Sequence, residues 1–243
     1  MHNERSGMFA GLALALGLAL ASGIGGWFFV KGKRGDQTIT VTGSARRRIK
    51  SDLVVWKAAV SYQTPTLADA YRSLSDTVPR VKAYLIGKGI AENQITVSSI
   101  SSQTLHGKTS GGEETAEITG YSLKQELEVR STDVDKIAQV AREATELINQ
   151  GILIESMPPA YLYTKLGDLK VEMLAEAAKD AKVRAQQIAQ STGGSIGSVR
   201  TARMGVLQIT AADSTEVSDS GMNDTSSLDK DITAVVNIGF AVD

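Results

Sequence analysis

Hydrophobic and polar positions divide the chain into one long apolar block and a body of shorter periodic segments. The block is Met8–Val30, MFAGLALALGLALASGIGGWFFV, 23 residues without a charge. At about 1.5 Å per helical residue it reaches roughly 34 Å, enough to cross a hydrocarbon core of about 30 Å with some tilt. Ala19-Leu20-Ala21 resembles the small-x-small site at which an export signal is cut. Apolar sequence nevertheless continues through Ile24, Phe28, Phe29 and Val30. That is longer than a signal core of about 7–15 residues and favours an uncut transmembrane helix, with Trp27 as its interfacial aromatic.

After this block the period changes repeatedly. Ile39 and Val41 alternate with Thr38, Thr40 and Thr42, which predicts a strand ending at Gly43, and Leu53–Tyr62 predicts a second around Trp56. Thr66 followed by Asp69 opens a helix whose buried stripe is Leu67, Ala70, Tyr71, Leu74, Val78, Val81 and Leu85. Pro79, inside it, is expected to kink or split it by displacing the carbonyl of Ser75. A short strand at Ile95 and Val97 and a Gly-rich loop at 106–114 follow. Residues 118–130 then alternate cleanly, with Tyr121, Leu123, Leu127 and Val129 on one face and Ser122, Lys124, Glu126 and Glu128 on the other. Thr132 is expected to cap a second helix carrying Ile137, Val140, Ala141, Ala144 and Ile148 and stopped by Gly151.

Residues 152–165 read as a strand interrupted at Pro158-Pro159, which confines it to a sheet edge or a bulge. Residues 166–192 form the longest predicted helix, with Val171, Leu174, Ala175, Ala178, Ala181, Ala185, Ile188 and Ala189 as its buried stripe and Gly193-Gly194 as its stop. Residues 195–209 are strand-like, 211–231 read as a polar, acidic, mobile loop, and 232–242 alternate sharply as a closing strand. The order predicts an α+β fold, mainly antiparallel, with about three helices on one face of the sheet. The anchor and its basic flank occupy 1–35 and the α+β domain 36–243.

Charge alters the picture only locally. With 26 Lys and Arg against 27 Asp and Glu, the chain carries a net charge of −1. It is not a nucleic-acid binder acting through overall charge. Residues 31–50, however, hold Lys31, Lys33, Arg34, Arg46, Arg47, Arg48 and Lys50 against Asp36 alone. Beside a bilayer such residues can hold anionic head groups at about 1 kcal/mol each, or form a solvated flank. The same bias, taken as a positive-inside signal, would put the body in the cytoplasm. Two rows of small residues, Gly7 and Gly11 at the entry of the apolar block and Ala13, Gly17, Ala21 and Gly25 inside it, show four-residue spacing, the pattern through which membrane helices approach closely.

Candidate chemistry is sparse. There is no Cys, which removes disulfides and thiolate ligands, and His2 and His106 are the only histidines. A catalytic triad or metal cluster would rest on His106 alone. Gly107-Lys108-Thr109 ends like a phosphate-binding loop, but Ser102 stands where that loop needs its first Gly. Asp213, Glu216, Asp219 and Asp224 miss the calcium-loop spacing. The sequence therefore predicts no catalytic residue, metal or cofactor, no small-molecule substrate and no enzyme activity.

The body resembles the SIMPL-domain family of exported bacterial proteins. The residues that carry the resemblance are Ile39-Thr40-Val41-Thr42-Gly43, Lys88-Gly89-Ile90 with Ile95-Thr96, Ile118-Thr119-Gly120-Tyr121, and the helix 175–192 with Gly193-Gly194. It implies an α+β body in the periplasm, held at the cytoplasmic membrane, that assembles into a large ring- or channel-like homo-oligomer linked to stress tolerance. Its partners would then be copies of itself and membrane lipid. The alternative is an envelope binding module that holds a protein, peptide or lipid through the basic 31–50 segment, without ring assembly.

Overall fold

The structure is a computed structural model that describes residues 37–242 together with residues 17, 18, 21–24 and 26, which are helical and exposed. Most of the apolar block therefore lies outside the described residues. Among those residues no helix is long and apolar enough to cross a membrane. The chain divides into two compact units: Met1–Arg46, Lys170–Leu207 and Thr233–Asp243 in one, Arg47–Leu169 and Gln208–Ile232 in the other. The fold is α+β and mainly antiparallel, but its strands form two sheets, of five and six strands, where the sequence pattern suggested one.

The second unit is built on β2 (Leu53–Thr64) and β5 (Glu114–Ser131), paired antiparallel from Val54↔Ser131 to Thr64↔Tyr121. β3 (Ile95–Val97) and β4 (Ser101–Lys108) lie on the free edge of β5. β6 (Ile154–Ser156) and β7 (Ala160–Leu162), separated by the two prolines as expected, lie on that of β2. Period two puts Val54, Trp56, Ala58 and Val60 on one face with Leu123, Leu127 and Val129, and all seven are buried. Helices α1 (Leu67–Gly87) and α2 (Val134–Glu143) complete this core. The indole N–H of buried Trp56 donates to Ser156 Oγ at 3.1 Å, which in turn donates to the Ala141 carbonyl at 2.8 Å. A core polar group is thus fully satisfied.

Several expectations change here for identifiable reasons. Pro79 does not split α1, since its ring is exposed on the helix while Leu74, Val78, Val81 and Leu85 stay buried. The lost backbone bond lies on the exposed side of the helix, where solvent can reach the freed carbonyl. Tyr71, expected on the buried stripe, is exposed. The cap of α2 is Asp133, whose carboxylate accepts from the Lys136 N–H at 3.3 Å, one residue later than expected. Beyond Glu143 the chain tightens into a 3₁₀ segment, Ala144–Gln150, which buries Leu147 and exposes Ile148. Three residues per turn instead of 3.6 moves the inner face by one position. The predicted Gly-rich turn is present at 109–113, but its flanks 106–108 and 114 are strand, because β4 and β5 continue as a two-stranded ribbon through a bulge at His106.

The first unit pairs the end of β11 (Asp229–Val242) with β8 (Ile196–Met204) and seats the helix α3 (Leu166–Ser191). β1 (Thr38–Lys50) also pairs with β11 and runs straight through Gly43, where a strand end was expected. Gly43 serves close approach, not termination. A Cβ there would collide with the Ala177 carbonyl and the Ala181 amide and lie 2.6 Å from the Ala181 Cβ. The buried row of α3 is Met173, Ala177, Ala181, Ala185 and Ala189, whereas Val171, Ala175 and Ile188 of the predicted stripe are exposed. The buried row follows i+4 spacing, which is inclined to the helix axis by about 26°. A stripe drawn parallel to the axis therefore leaves it at both ends. Ser44 N–H donates to Asp180 Oδ2 at 2.9 Å beside this contact and, with Arg184, holds that carboxyl below its usual range.

Gly43→Ala should be strongly destabilising, by about 3 kcal/mol, because the obstructing atoms are backbone and no rotamer change relieves them. Gly87→Ala, with nothing within 4 Å of the added methyl, should be close to neutral. Thermal denaturation of the two variants beside the unaltered chain checks the contrast.

Candidate functional site

The densest buried chemistry lies in the second unit, at the start of β11. There the row Ile232, Ala234, Val236, Ile238, Phe240 is preceded, in phase, by Lys230. Consecutive strand residues face opposite sides, so Lys230 and Asp231 bury opposite charges in opposite directions. Only 2% of the Lys230 side chain and 3% of that of Asp231 is exposed.

Lys230 Nζ donates to the Asp224 backbone carbonyl and lies 3.5 Å from Asp224 Oδ2. The Asp224 carboxylate also accepts from the Ser226 N–H at 2.9 Å, the Ser226 hydroxyl at 2.6 Å and the Ser227 N–H at 3.2 Å. Burial pushes the Asp224 carboxyl up, but the serine donors and the ammonium together hold it well below the usual carboxylate range. Burial lowers the Lys230 ammonium, with Asp224 opposing.

On the other side, Asp231 accepts from Arg48 Nε at 3.1 Å, from Arg48 Nη2 at 3.2 Å and from the Asp213 N–H at 2.9 Å. Arg48 also pairs with the Asp213 carboxylate. Its guanidinium is raised above its usual value, first by Asp231 and then by Asp213. Asp213 is held at φ +63°, a left-handed conformation that Asp tolerates better than most residues. Lys230 and Asp231 together bind both ends of the acidic segment 213–224. The segment predicted to be mobile is thereby tied, and contains β10 (Met222–Asn223) parallel to β9 (Gln208–Ala211).

Beside Lys230 lies a cavity of about 60 Å³ lined by Tyr161, Tyr163, Leu166, Ile209, Asn223 and Asp224, among others. It has room for a few waters and is far below the size of an organic ligand site. The ammonium is engaged by internal acceptors, so the arrangement acts as a strap between strand and loop.

The residues singled out in the sequence are distributed differently. Gly7, Gly11, Ala13, Gly25, Trp27, Lys31, Lys33 and Arg34 lie outside the described residues, while Gly17 and Ala21 are helical and exposed. Arg46, Arg47 and Arg48 lie on β1, not in an irregular flank. Arg48 is committed to two carboxylates, and Lys50 reaches Asp135 at 3.2 Å. His106 is exposed at the ribbon bulge, and among the described residues no three acidic or histidine side chains gather as a metal site. The strap was missed, although its signal was present: a lysine in phase with a buried apolar row, with an aspartate beside it.

The chain belongs to the SIMPL family, described as a protein of unknown function (DUF541), whose model matches residues 39–240. The earlier resemblance is thereby confirmed, and the family suggests an exported, periplasmic protein. No curated protein matches the chain significantly.

Asp224→Asn should cost about 3 kcal/mol at neutral pH, because it leaves the Lys230 ammonium buried without its counter-charge. The folded carboxyl lies below its free value of 3.8. Its contribution is therefore complete above about pH 4 and is lost as the pH falls from there through the folded value. Urea midpoints of the unaltered chain and the variant should converge below pH 4; a constant gap down to strong acid would contradict the strap.

Proposed function

We propose that this SIMPL-family chain is a non-catalytic structural protein of the bacterial envelope. Its N-terminal segment holds it at the cytoplasmic membrane, with the body in the periplasm, and its bodies associate into a ring- or channel-like homo-oligomer tied to envelope stress tolerance. The observation that carries this reading is the state of β8. It pairs with β11, yet residues 198–204 are exposed on both faces, Val199 at 56% and Met204 at 66%. Among the described residues its other edge is unpaired, and an unpaired strand edge with apolar side chains is a template for another chain, which soluble monomers blunt. The binding-module alternative has less support, since Arg48 and Lys50 of the basic segment are engaged by carboxylates of the same unit.

The test is the mass of the full-length chain extracted from membranes in mild detergent. The expected result is retention in the membrane fraction and a defined multiple of 25.7 kDa that persists on dilution. A monomer at all concentrations would retire the assembly reading, and release of the intact chain by salt alone would retire the anchor.

A further inference from the structure

The uncovered face of β8 has a definite composition. In the first unit, Asn237 bonds Thr42 across the outer side of the sheet, and Gly239 lies against Thr40 and Thr201 there. Val236, Ile238 and Phe240 therefore face the side on which α3 meets Gly43. β8 carries that apolar face one strand further, with Val199 opposite Phe240 and Met204 opposite Val236. The helix does not cover it. A cavity of about 110 Å³ lined by Gln186, Gln190, Ser195 and Ile196 lies where the end of α3 meets the start of β8. On the outer side Arg203, opposite Asn237, makes no ion pair among the described residues.

A segment of the same chain in the second unit has the complementary pattern. Residues 214–218 have no regular secondary structure, and Val217 is the most exposed large apolar side chain among the described residues, at 81%. Glu216 beside it makes no ion pair among them. The segment is nonetheless held in place, by the Lys230 and Asp231 straps at its ends and by Gln208, whose side-chain amide donates to the Ser218 carbonyl at 2.6 Å.

We infer that residues 214–218 of a second copy add to the open edge of β8, with Val217 on the apolar face beside Met204 and Glu216 meeting Arg203 on the outer face. Period two requires this division, because neighbouring residues of an added strand point to opposite faces of the sheet. A pre-tied segment loses less conformational freedom on docking than a mobile one. The contact joins different surfaces of two copies, and repeated head to tail it propagates into a ring or a filament.

This inference rests on the assembly reading above, and the experiment separates the two. The full-length chain in mild detergent is compared with Arg203→Glu, Glu216→Arg, the double exchange and Val217→Asp, each first checked for unaltered circular dichroism. Assembled mass is measured against concentration. The expected result is an assembled unaltered chain, at least about tenfold weaker association in each single variant, and recovery in the double exchange. An unaltered chain that is monomeric overturns the assembly reading, and with it this contact. An assembled chain whose single variants keep full mass, or whose double exchange fails to recover, overturns this contact alone.

Discussion

A buried ammonium is tolerated only where the protein supplies acceptors to replace water. Lys230 imposes that requirement on the acidic segment of the second unit. Its demand is met by the carbonyl and carboxylate of Asp224, whose own charge is distributed over the donors of Ser226 and Ser227. The adjacent Asp231 imposes the mirror requirement and is met by Arg48 and the Asp213 amide. A segment such as 213–224, with four acids and few apolar residues, has little hydrophobic reason to fold. Here electrostatic demand from two strand residues supplies the reason, and the loop acquires a fixed course between them.

The first unit rests on a different constraint, the absence of side-chain volume. Four alanines at i+4 spacing on α3 and the bare Cα of Gly43 bring a helix and a strand into backbone contact. Dispersion contacts accumulate at such short range even though each residue contributes little area. The arrangement leaves the bulkier Val171, Val183 and Ile188 facing outward. Close packing on one side of the helix thus has exposed apolar surface on the other as its counterpart, and the same holds for the part of β8 that α3 does not cover.

The strands were legible where apolar and polar or small residues alternate, as at β5 and β11, since a face packed on the core then writes period two into the sequence. The Pro158-Pro159 break was legible for the same local reason. What failed was whatever tertiary contact decided. Gly43 reads as a strand end because glycine usually punctuates, yet its role is set by a helix more than 130 residues away. The ribbon β4–β5 pairs largely polar residues and carries no burial signal, so its distal half reads as loop. The phase slip that buries Leu147 in place of Ile148 comes from a change of helix type that no residue announces. At the candidate site the acids were noticed as a group, but their partners were not, because counting charges along the chain does not show which of them lie on a buried face.

Trp56 has a further use. It is one of two tryptophans, the other being Trp27 in the apolar block, and it lies fully buried with its N–H held by Ser156. Its indole therefore belongs to a single unit, and its emission is an optical label built into the six-stranded sheet alone. In the chain with Trp27 replaced by Phe, fluorescence follows the melting of that unit while far-ultraviolet ellipticity follows both. The separation between the two curves is then a direct reading of how far the units unfold as one.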